Sequence, residues 1–328
     1  MSTVLVTGAS GFTGINLVPA LLRQGVQVRV LARSVASREI LGEMDCQCVV
    51  GDIRDRDALR HAMRGCDRVY HLAGLVPYWR STEEEVYSVN AEGTRMVMQA
   101  SLEAGVERVV HTSSTAAIGI PESGAIATEE TLFDERSRRS WYSDSKRLAE
   151  EHVREAISKG LDAVIVNPGQ VIGPGDRGMY MGNIVRFLKK GFVRAVTAGG
   201  MCMVDVDAVV AGLLAAAEKG RTGERYILGG ENLSYMEIAG TVAEAVGRPP
   251  PRHVIPGWLL PPAALVVDAL NAINRQSTTI SGEHVRWGSD TLYYDSGKAI
   301  AELDYSIRPF REALFRAFDW YLENGYLD

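Results

Sequence analysis

Cysteine is scarce in this chain, with four in 328 residues, at positions 46, 48, 66 and 202. Cys46 and Cys48 are one residue apart, not the two of the common zinc knuckles, and no second pair answers them, so neither a zinc site nor a disulfide framework organises the fold. All four read as reduced thiols, as in a cytoplasmic protein. An excess of positive charge is missing too. The 35 Lys and Arg against 41 Asp and Glu leave a net charge of −6, which offers no basic field to gather nucleic acid or an anionic membrane. Long apolar runs are also absent: the stretch 254–270 is broken by Pro256, Gly257, Pro261, Pro262 and Asp268, short of the ~20 uninterrupted residues of a membrane span. A packed helix or lid is expected there, with peripheral membrane contact as the alternative. No basic-flanked leader precedes the first strand pattern, so a cytoplasmic location is expected. What is present, 46% apolar and 23% charged residues, is the composition of a folded protein acting on a small molecule.

Short apolar runs alternate with amphipathic segments. Strands are expected at 4–7, 26–32, 48–51, 68–72, 108–113, 162–168 and 225–228, and helices at 14–24, 56–64, 84–103, 142–159 and 208–219. Each return between strands is long enough for a helical crossover, which predicts an α/β fold with a doubly wound parallel sheet. After Pro168 the rhythm changes, and glycine, proline and methionine mark irregular chain around a pocket. The expected division is therefore a dinucleotide-binding Rossmann domain over 1–167, rejoined by 204–228, with a smaller substrate-binding lobe from 168–203 and 229–328.

The first strand runs into Gly8-Ala9-Ser10-Gly11-Phe12-Thr13-Gly14 and then a helix pattern. Glycines here allow a tight turn and close approach of backbone to a pyrophosphate, while the helix start presents free N–H groups to negative charge. The spacing G-x-x-G-x-x-G departs from the standard dinucleotide fingerprint, so the strand before and the helix after carry the reading. At the end of the second strand a carboxylate would hold a ribose 2′-hydroxyl, but Arg33, Ser34 and Arg38 stand there. Arginine suits a 2′-phosphate, so NADP(H) is expected over NAD(H). Asp52, followed by Ile53, is placed near the adenine amino group or at a helix cap. Leu72-Ala73-Gly74 leaves room beside the ribose, and Thr112, at the end of the next strand, is a further candidate cofactor contact.

Tyr142 and Lys146 are four apart at the start of a helix, which puts them on one face. A phenol titrates near pH 10, so proton transfer near neutrality calls for a neighbouring cation, and Lys146 is placed to supply it. A second Tyr-x-x-x-Lys, at Tyr294 and Lys298, has no glycine loop or sheet edge with it and is assigned to structure. Ser114, at the polar end of the fifth strand, is expected to face Tyr142 and orient a carbonyl. Ser113 is expected to point to the opposite face. Asn90 is a candidate to orient the lysine through water or a backbone carbonyl. Pro168, Gly169 and Val171 would offer backbone groups to a carboxamide. Val76, Tyr78, Trp79, Thr115, Met179, Tyr180 and Met203 are candidate substrate contacts, whose rings and sulfurs suit an apolar molecule. No set of His, Asp or Glu has metal-ligand spacing.

Taken together, Gly8, Gly11 and Gly14, Gly51-Asp52-Ile53-Arg54-Asp55, His71-Leu72-Ala73-Gly74, Asn90 with Gly93-Thr94, Thr112-Ser113-Ser114, Tyr142 with Lys146, and Asn167-Pro168 with Gly173-Pro174-Gly175 resemble the extended short-chain dehydrogenase/reductase family over essentially the whole chain. The pattern is most similar to the branch of dihydroflavonol 4-reductases, 3β-hydroxysteroid dehydrogenases and hopanoid-associated sugar epimerases. The resemblance implies Ser114, Tyr142 and Lys146 as the catalytic triad, and a homodimer through the helices carrying Asn90 and Tyr142. The sequence departs from relatives at Ala208, where a second aspartate is frequent, which puts a helix cap there in doubt. No carboxylate follows Ser114, so the acid–base pair of sugar dehydratases is missing.

The leading expectation is an NADP(H)-dependent oxidoreductase moving hydride between nicotinamide and a ketone or aldehyde, or the matching alcohol, of a small apolar or aromatic substrate. Tyr142 then gives or takes the proton. The alternative is a nucleotide-sugar epimerase with tightly bound NAD, its diphosphate held by Arg177, Arg186 and Arg194. A non-catalytic dinucleotide sensor or scaffold is the least favoured reading.

Overall fold

The structure, a computed structural model, describes residues 2–42, 44–76, 81–120, 125–135, 137, 140–191, 193–274, 282, 285 and 287–327. Seven strands form one parallel sheet: β1 (Thr3–Thr7), β2 (Gln27–Ala32), β3 (Gln47–Val50), β4 (Arg68–His71), β5 (Arg108–Thr112), β6 (Ala163–Pro168) and, returning late in the chain, Arg225–Leu228. The order across the sheet, from the Arg225–Leu228 edge, is that strand, β6, β5, β4, β1, β2, β3. The direction of winding reverses between β1 and β4, so the loops leaving their carboxyl ends diverge and open a crevice.

Both faces of the sheet are covered, and residues alternate between the two cores. Val4, Val6, Val28, Val30, Val164 and Val166 pack with Leu17, Val18 and Leu21 of α1 (Phe12–Arg23) and with Val209 and Leu213 of the helix Val206–Lys219. Leu5, Leu31, Val69, Ala163 and Ile165 point the other way. They meet Leu59 and Met63 of the helix Arg56–Met63, Val97 and Met98 of Gly93–Ala104, and Val153 of Trp141–Ser158. Burying such a side chain contributes about 1.5–3 kcal/mol, and a strand covered on both sides reads in sequence as a continuous apolar run.

The expected strands and helices of this part lie within a few residues of those observed. Two local features differ. A short helix, α2 (Val35–Leu41), follows β2, capped by Ser34. The single helix expected over 84–103 is interrupted: α3 (Arg56–Met63) is followed by α4 (Glu83–Tyr87), then one π turn over Ser88–Glu92 that holds Asn90, then α5 (Gly93–Ala104). The helix that carries Tyr142 and Lys146 is α6 (Trp141–Ser158).

Beyond Pro168 the chain is more regular than its composition suggests. Strands β7 (Gln170–Ile172), β8 (Ala195–Thr197), β9 (Gly200–Asp205), β10 (Arg225–Leu228), β11 (Glu231–Ser234), β12 (His253–Ile255) and β13 (Thr291–Leu292) are present, and apart from β10 they build two small sheets. Helices α7 (Gly182–Lys189), α8 (Val206–Lys219), α9 (Tyr235–Ala245) and α10 (Leu260–Asn274) follow, with Gly297–Leu303 and Phe310–Glu323 at the end. Apart from β10, these strands of two to six residues carry too little alternation to be read as strands, and long-range pairing alone makes them so. A third core joins α7, α9 and Phe310–Glu323 around Ile172, Met179, Met181 and Met203. The helix cap put in doubt by Ala208 is intact, because Asp205 accepts from the Asp207 N–H at 3.0 Å.

The crevice depends on a steric fit at Gly8, whose φ is +72° and whose absent Cβ would lie 2.6 Å from the Ala73 nitrogen. Gly8→Ala is therefore expected to lose about 2–3 kcal/mol of unfolding free energy in urea titration. Wild-type stability in that variant would refute the close approach.

Candidate active site

The loop after β1 closes through a hydrogen bond from Gly11 N to Gly8 O (3.0 Å), and α1 begins at Phe12 with Gly11 as its N-cap and no side chain on the cap. The first N–H groups of α1 are thus left for an outside acceptor. Two adjoining cavities meet at this loop, sharing Gly8, Gly11, Leu72 and Gly74. One is lined by Ser10, Arg33, Ser37, Gly51, Asp52, Ile53 and Ala73. The other runs past Phe12, Thr13, Gly14 and Val76 to Thr112, Ser114, Tyr142, Lys146, Pro168, Gly169, Gln170, Val171 and Tyr180.

These walls fit a dinucleotide. A Cβ at Gly74 would stand 3.2 Å from Lys146 Nζ and 3.3 Å from Asn90 Oδ1, filling the passage between the two cavities. The Thr112 hydroxyl is buried with no partner among the described residues, and a helix start without a capping side chain suits a pyrophosphate. A dinucleotide across this loop would lie with its phosphates at Gly8–Gly14, one end toward Arg33 and the other toward Tyr142.

Two expected cofactor contacts are placed elsewhere. Ser34 spends its hydroxyl capping α2, accepting from the Ser37 N–H at 3.2 Å, and Arg38 does not line the cavity. Ser37, one helical turn after Arg33, takes that place. Its signal lay in a capped helix starting at Ser34, which turns Arg33 and Ser37 to the same side. Asp52 does line the cavity, but Arg54 grips it through Nε (2.8 Å) and Nη2 (2.9 Å) and holds its carboxyl below the usual range. The cap of α3 is Asp55, not Asp52.

On the other side, α6 opens with a capping box between Ser140 and Ser143, which sets Tyr142 at the first turn and Lys146 one turn later. Ser114 caps the short turn Thr115–Ala117 and shares a hydrogen bond with the Tyr142 phenol. Lys146 is buried, and its Nζ donates to the Thr112 carbonyl at 3.1 Å. Burial lowers its pKa to about 8, with Glu150 pulling the other way. Burial pushes the Tyr142 phenol up from its ordinary value, and the hydrogen bond with Ser114 opposes that. The net direction for the phenol is upward, set by desolvation against the Ser114 hydrogen bond, and differs from the lowering by Lys146 that the spacing predicts. Both groups consequently hold their protons at neutral pH.

Sequence reasoning passed over two sets of residues around this pair. His71 and His111 stack beneath Lys146 with ring centroids 5.2 Å apart, and both are held neutral by burial and by neighbouring charge, His71 at about 3. Glu150, fully buried, accepts from Ser113 Oγ and from Asn167 Nδ2, each at 2.7 Å. Asn167 also donates to the Ser114 carbonyl at 2.8 Å, which braces the serine from behind. Ser113 thus turns to Glu150, opposite Ser114. The four-residue step from Lys146 to Glu150 on a helix was the available signal.

Asn90 makes no direct hydrogen bond to Lys146 among the described residues, although both side chains approach Gly74. Its amide donates to the Leu75 carbonyl and to Ser145 Oγ, each at 3.0 Å, and accepts from Leu75 N at 2.7 Å, which ties the loop after β4 to α6. Of the expected substrate contacts, Val76 and Tyr180 face the cavity. Met179 and Met203 are packed in the third core, and Thr115 is buried in its turn without lining the cavity, because apolar side chains at those positions fill the protein's own interior. Tyr78 and Trp79 lie outside the described residues.

A parallel sheet whose strand order reverses beside a glycine loop, with a Ser-Tyr-Lys set across from it, defines an NAD(P)-dependent enzyme. The profile of the NAD dependent epimerase/dehydratase family matches residues 4–229, and the chain belongs to that family, within the extended short-chain dehydrogenases/reductases. It is 37% identical over 328 residues to a Synechocystis protein provisionally named dihydroflavonol 4-reductase, covering 98% of this chain and 95% of that one. Sterol demethylase protein B of Methylococcus capsulatus is 35% identical, with 99% and 100% covered. The crystal structure of gox2253 superposes with a TM-score of 0.88 at 34% identity, with 100% of both chains covered.

Lys146 yields a test through its proton. The native state holds that proton less tightly than the unfolded chain, so protonation favours unfolding. The penalty is complete below pH 8 and fades as pH rises toward the ordinary lysine value of 10.5. Lys146→Met is expected to be more stable than wild type at pH 7 by on the order of 2 kcal/mol, the lost Thr112 hydrogen bond included. Denaturant titrations at pH 7 and above 10 check this, and a constant gap between the proteins would refute it.

Proposed function

We propose that this protein is an NADP(H)-dependent oxidoreductase that interconverts a ketone or aldehyde and the corresponding alcohol on a small, apolar, ring-containing substrate. The observation that carries this reading is Tyr142 and Lys146, both protonated at neutral pH, beside Ser114 on a cavity wall shared with the glycine loop. A bound nicotinamide supplies or accepts the hydride. Ser114 hydrogen-bonds the carbonyl oxygen, Tyr142 passes it the phenolic proton, and the Lys146 cation stabilises the phenolate left behind. Asn167 and Glu150 hold Ser114 from the far side, while Asn90 fixes the loop that bounds the passage.

Arg33 and Ser37 on the first cavity favour NADP(H), as a guanidinium and a hydroxyl suit a 2′-phosphate. Val76 and Tyr180 at the other end favour an apolar substrate, and the relatives named for dihydroflavonol and sterol chemistry are consistent with it. A nucleotide-sugar epimerase is less well supported. Arg186 donates to the Tyr326 carbonyl at 2.8 Å, and neither it nor Arg177 or Arg194 lines either cavity.

Tyr142→Phe is expected to lower kcat by roughly 10²–10⁴ with dinucleotide binding unchanged, as read by NADPH oxidation and by fluorescence titration. Retained turnover would remove Tyr142 from its role. Arg33→Asp is expected to move the preference from NADPH toward NADH, and an unchanged ratio of kcat/KM values would dismiss Arg33 as the selector. Substrate class is tested by NADPH consumption with cyclic ketones beside conversion of UDP-sugars. Sugar conversion without consumption would overturn the oxidoreductase reading.

A further inference from the structure

The stretch expected to be a packed helix or lid is neither buried nor polar on its outer side. Trp258 is 75% exposed, Leu265 67%, Val266 58% and Leu270 51%. With Pro262 and Ala269 they follow helical spacing along one face of α10 and the turn before it. Leu260 and Ala264 are buried on the opposite face. Asp268, the sole carboxylate between 253 and 274, is turned partly inward and accepts from Gly282 N at 2.8 Å. A helix apolar on both sides is expected in an interior, and a contiguous apolar face left in solvent marks an interaction surface.

The chemistry of the partner is indicated by the charges that frame this face. Strand β12 leads into Trp258 and pairs in parallel with β8, which sets Arg252 beside Arg194 through Arg252 N and Arg194 O at 3.4 Å. Arg248 donates to the Lys189 carbonyl at 3.0 Å, bringing the neighbouring Lys190 to the same edge. Neither 188–197 nor 247–267 contains an Asp or Glu, although the chain as a whole carries a net charge of −6. Arg252, just before β12, is four residues from Pro256 at the aromatic turn, about 13 Å at ~3.3 Å per strand residue. A cationic edge beside an apolar helix whose one carboxylate, Asp268, is turned partly inward, with an aromatic residue just before it, combines apolar area for an acyl boundary with attraction to anionic lipid. A second copy would bring the same cations with no carboxylate from these segments to answer them, whereas lipid phosphates do. The helix, 15 residues and about 22 Å long, is too short to cross a ~30 Å hydrocarbon layer.

We propose that α10 and the Pro256–Leu259 turn dock the protein onto an anionic lipid surface, with Trp258, Leu265, Val266 and Leu270 in the acyl boundary and Lys190, Arg194, Arg248 and Arg252 at the phosphates. This rests on the surface alone and is independent of which carbonyl compound the cavity takes. The test is co-sedimentation of the full chain with phosphatidylcholine vesicles and with vesicles half phosphatidylglycerol. Folding is followed by thermal melting and oligomeric state by light scattering. The expected result is binding to the anionic vesicles alone, weakened by salt. Arg194→Glu with Arg252→Glu should reduce binding at least about tenfold, at ~1 kcal/mol per charge removed or reversed. The triple variant Leu265→Ser, Val266→Ser, Leu270→Ser should abolish it without changing oligomeric state. Equal binding to both vesicles, no binding to either, or retained binding in a folded triple variant would overturn the proposal. A wild-type oligomer that falls apart in the triple variant would overturn it in favour of a second copy as the occupant.

Discussion

A single cation kept dry organises the catalytic half of this molecule. The Lys146 ammonium sits at the carboxyl edge of the parallel sheet with the Thr112 carbonyl as its acceptor, neutral imidazoles of His71 and His111 beneath it and the Glu150 carboxylate one turn along its helix. An ammonium in that position costs stability, as the lowered pKa of Lys146 records, and a like charge beside it would raise the cost. The surroundings supply none. Burial keeps both imidazoles uncharged, and Glu150 is itself held by Ser113, Asn167, Arg154 and Arg225. The residues that brace Ser114 are therefore the same ones that make the buried lysine tolerable, so catalytic geometry and local stability rest on one network.

The cofactor side is governed by sterics. Gly8, Gly14 and Gly74 each leave a space that a methyl group would close, against Ala73, against the Gly8 carbonyl and against the Lys146–Asn90 passage. The two cavities adjoin at this loop, sharing Gly8, Gly11, Leu72 and Gly74 in their walls. Asn90 contributes from the π turn, where one extra residue per turn directs its amide at Leu75 and Ser145. The helical irregularity and the loop position are thus one feature seen from two sides.

The sheet, its crossover helices and the Gly8, Ser114, Tyr142 and Lys146 constellation were legible from the chain because each rests on local rules. Apolar runs bounded by turns mark strands covered on both faces, glycine tolerates positive φ, and a four-residue step shares a helix face. The methionines were misleading for the opposite reason. Met179 and Met203 have the composition of a pocket wall, and whether a flexible apolar side chain lines a cavity or fills a core depends on which element lies across from it. Ser37 in place of Arg38 turned on a cap at Ser34 that shifted the helical phase. Glu150 and Asn167 looked ordinary in sequence, since their importance lies in an ion and amide network whose members are up to 75 residues apart.

By itself, then, the sequence determined the parallel sheet, the glycine loop after β1 and the shared helix face of Tyr142 and Lys146, because hydrophobic periodicity, backbone sterics and helical spacing act over a few residues. Tertiary structure alone decided the protonation of that pair, the division of side chains between core and cavity, the small sheets beyond Pro168 and the outward turn of the α10 face. These depend on burial and on partners distant in the chain, which no local pattern encodes.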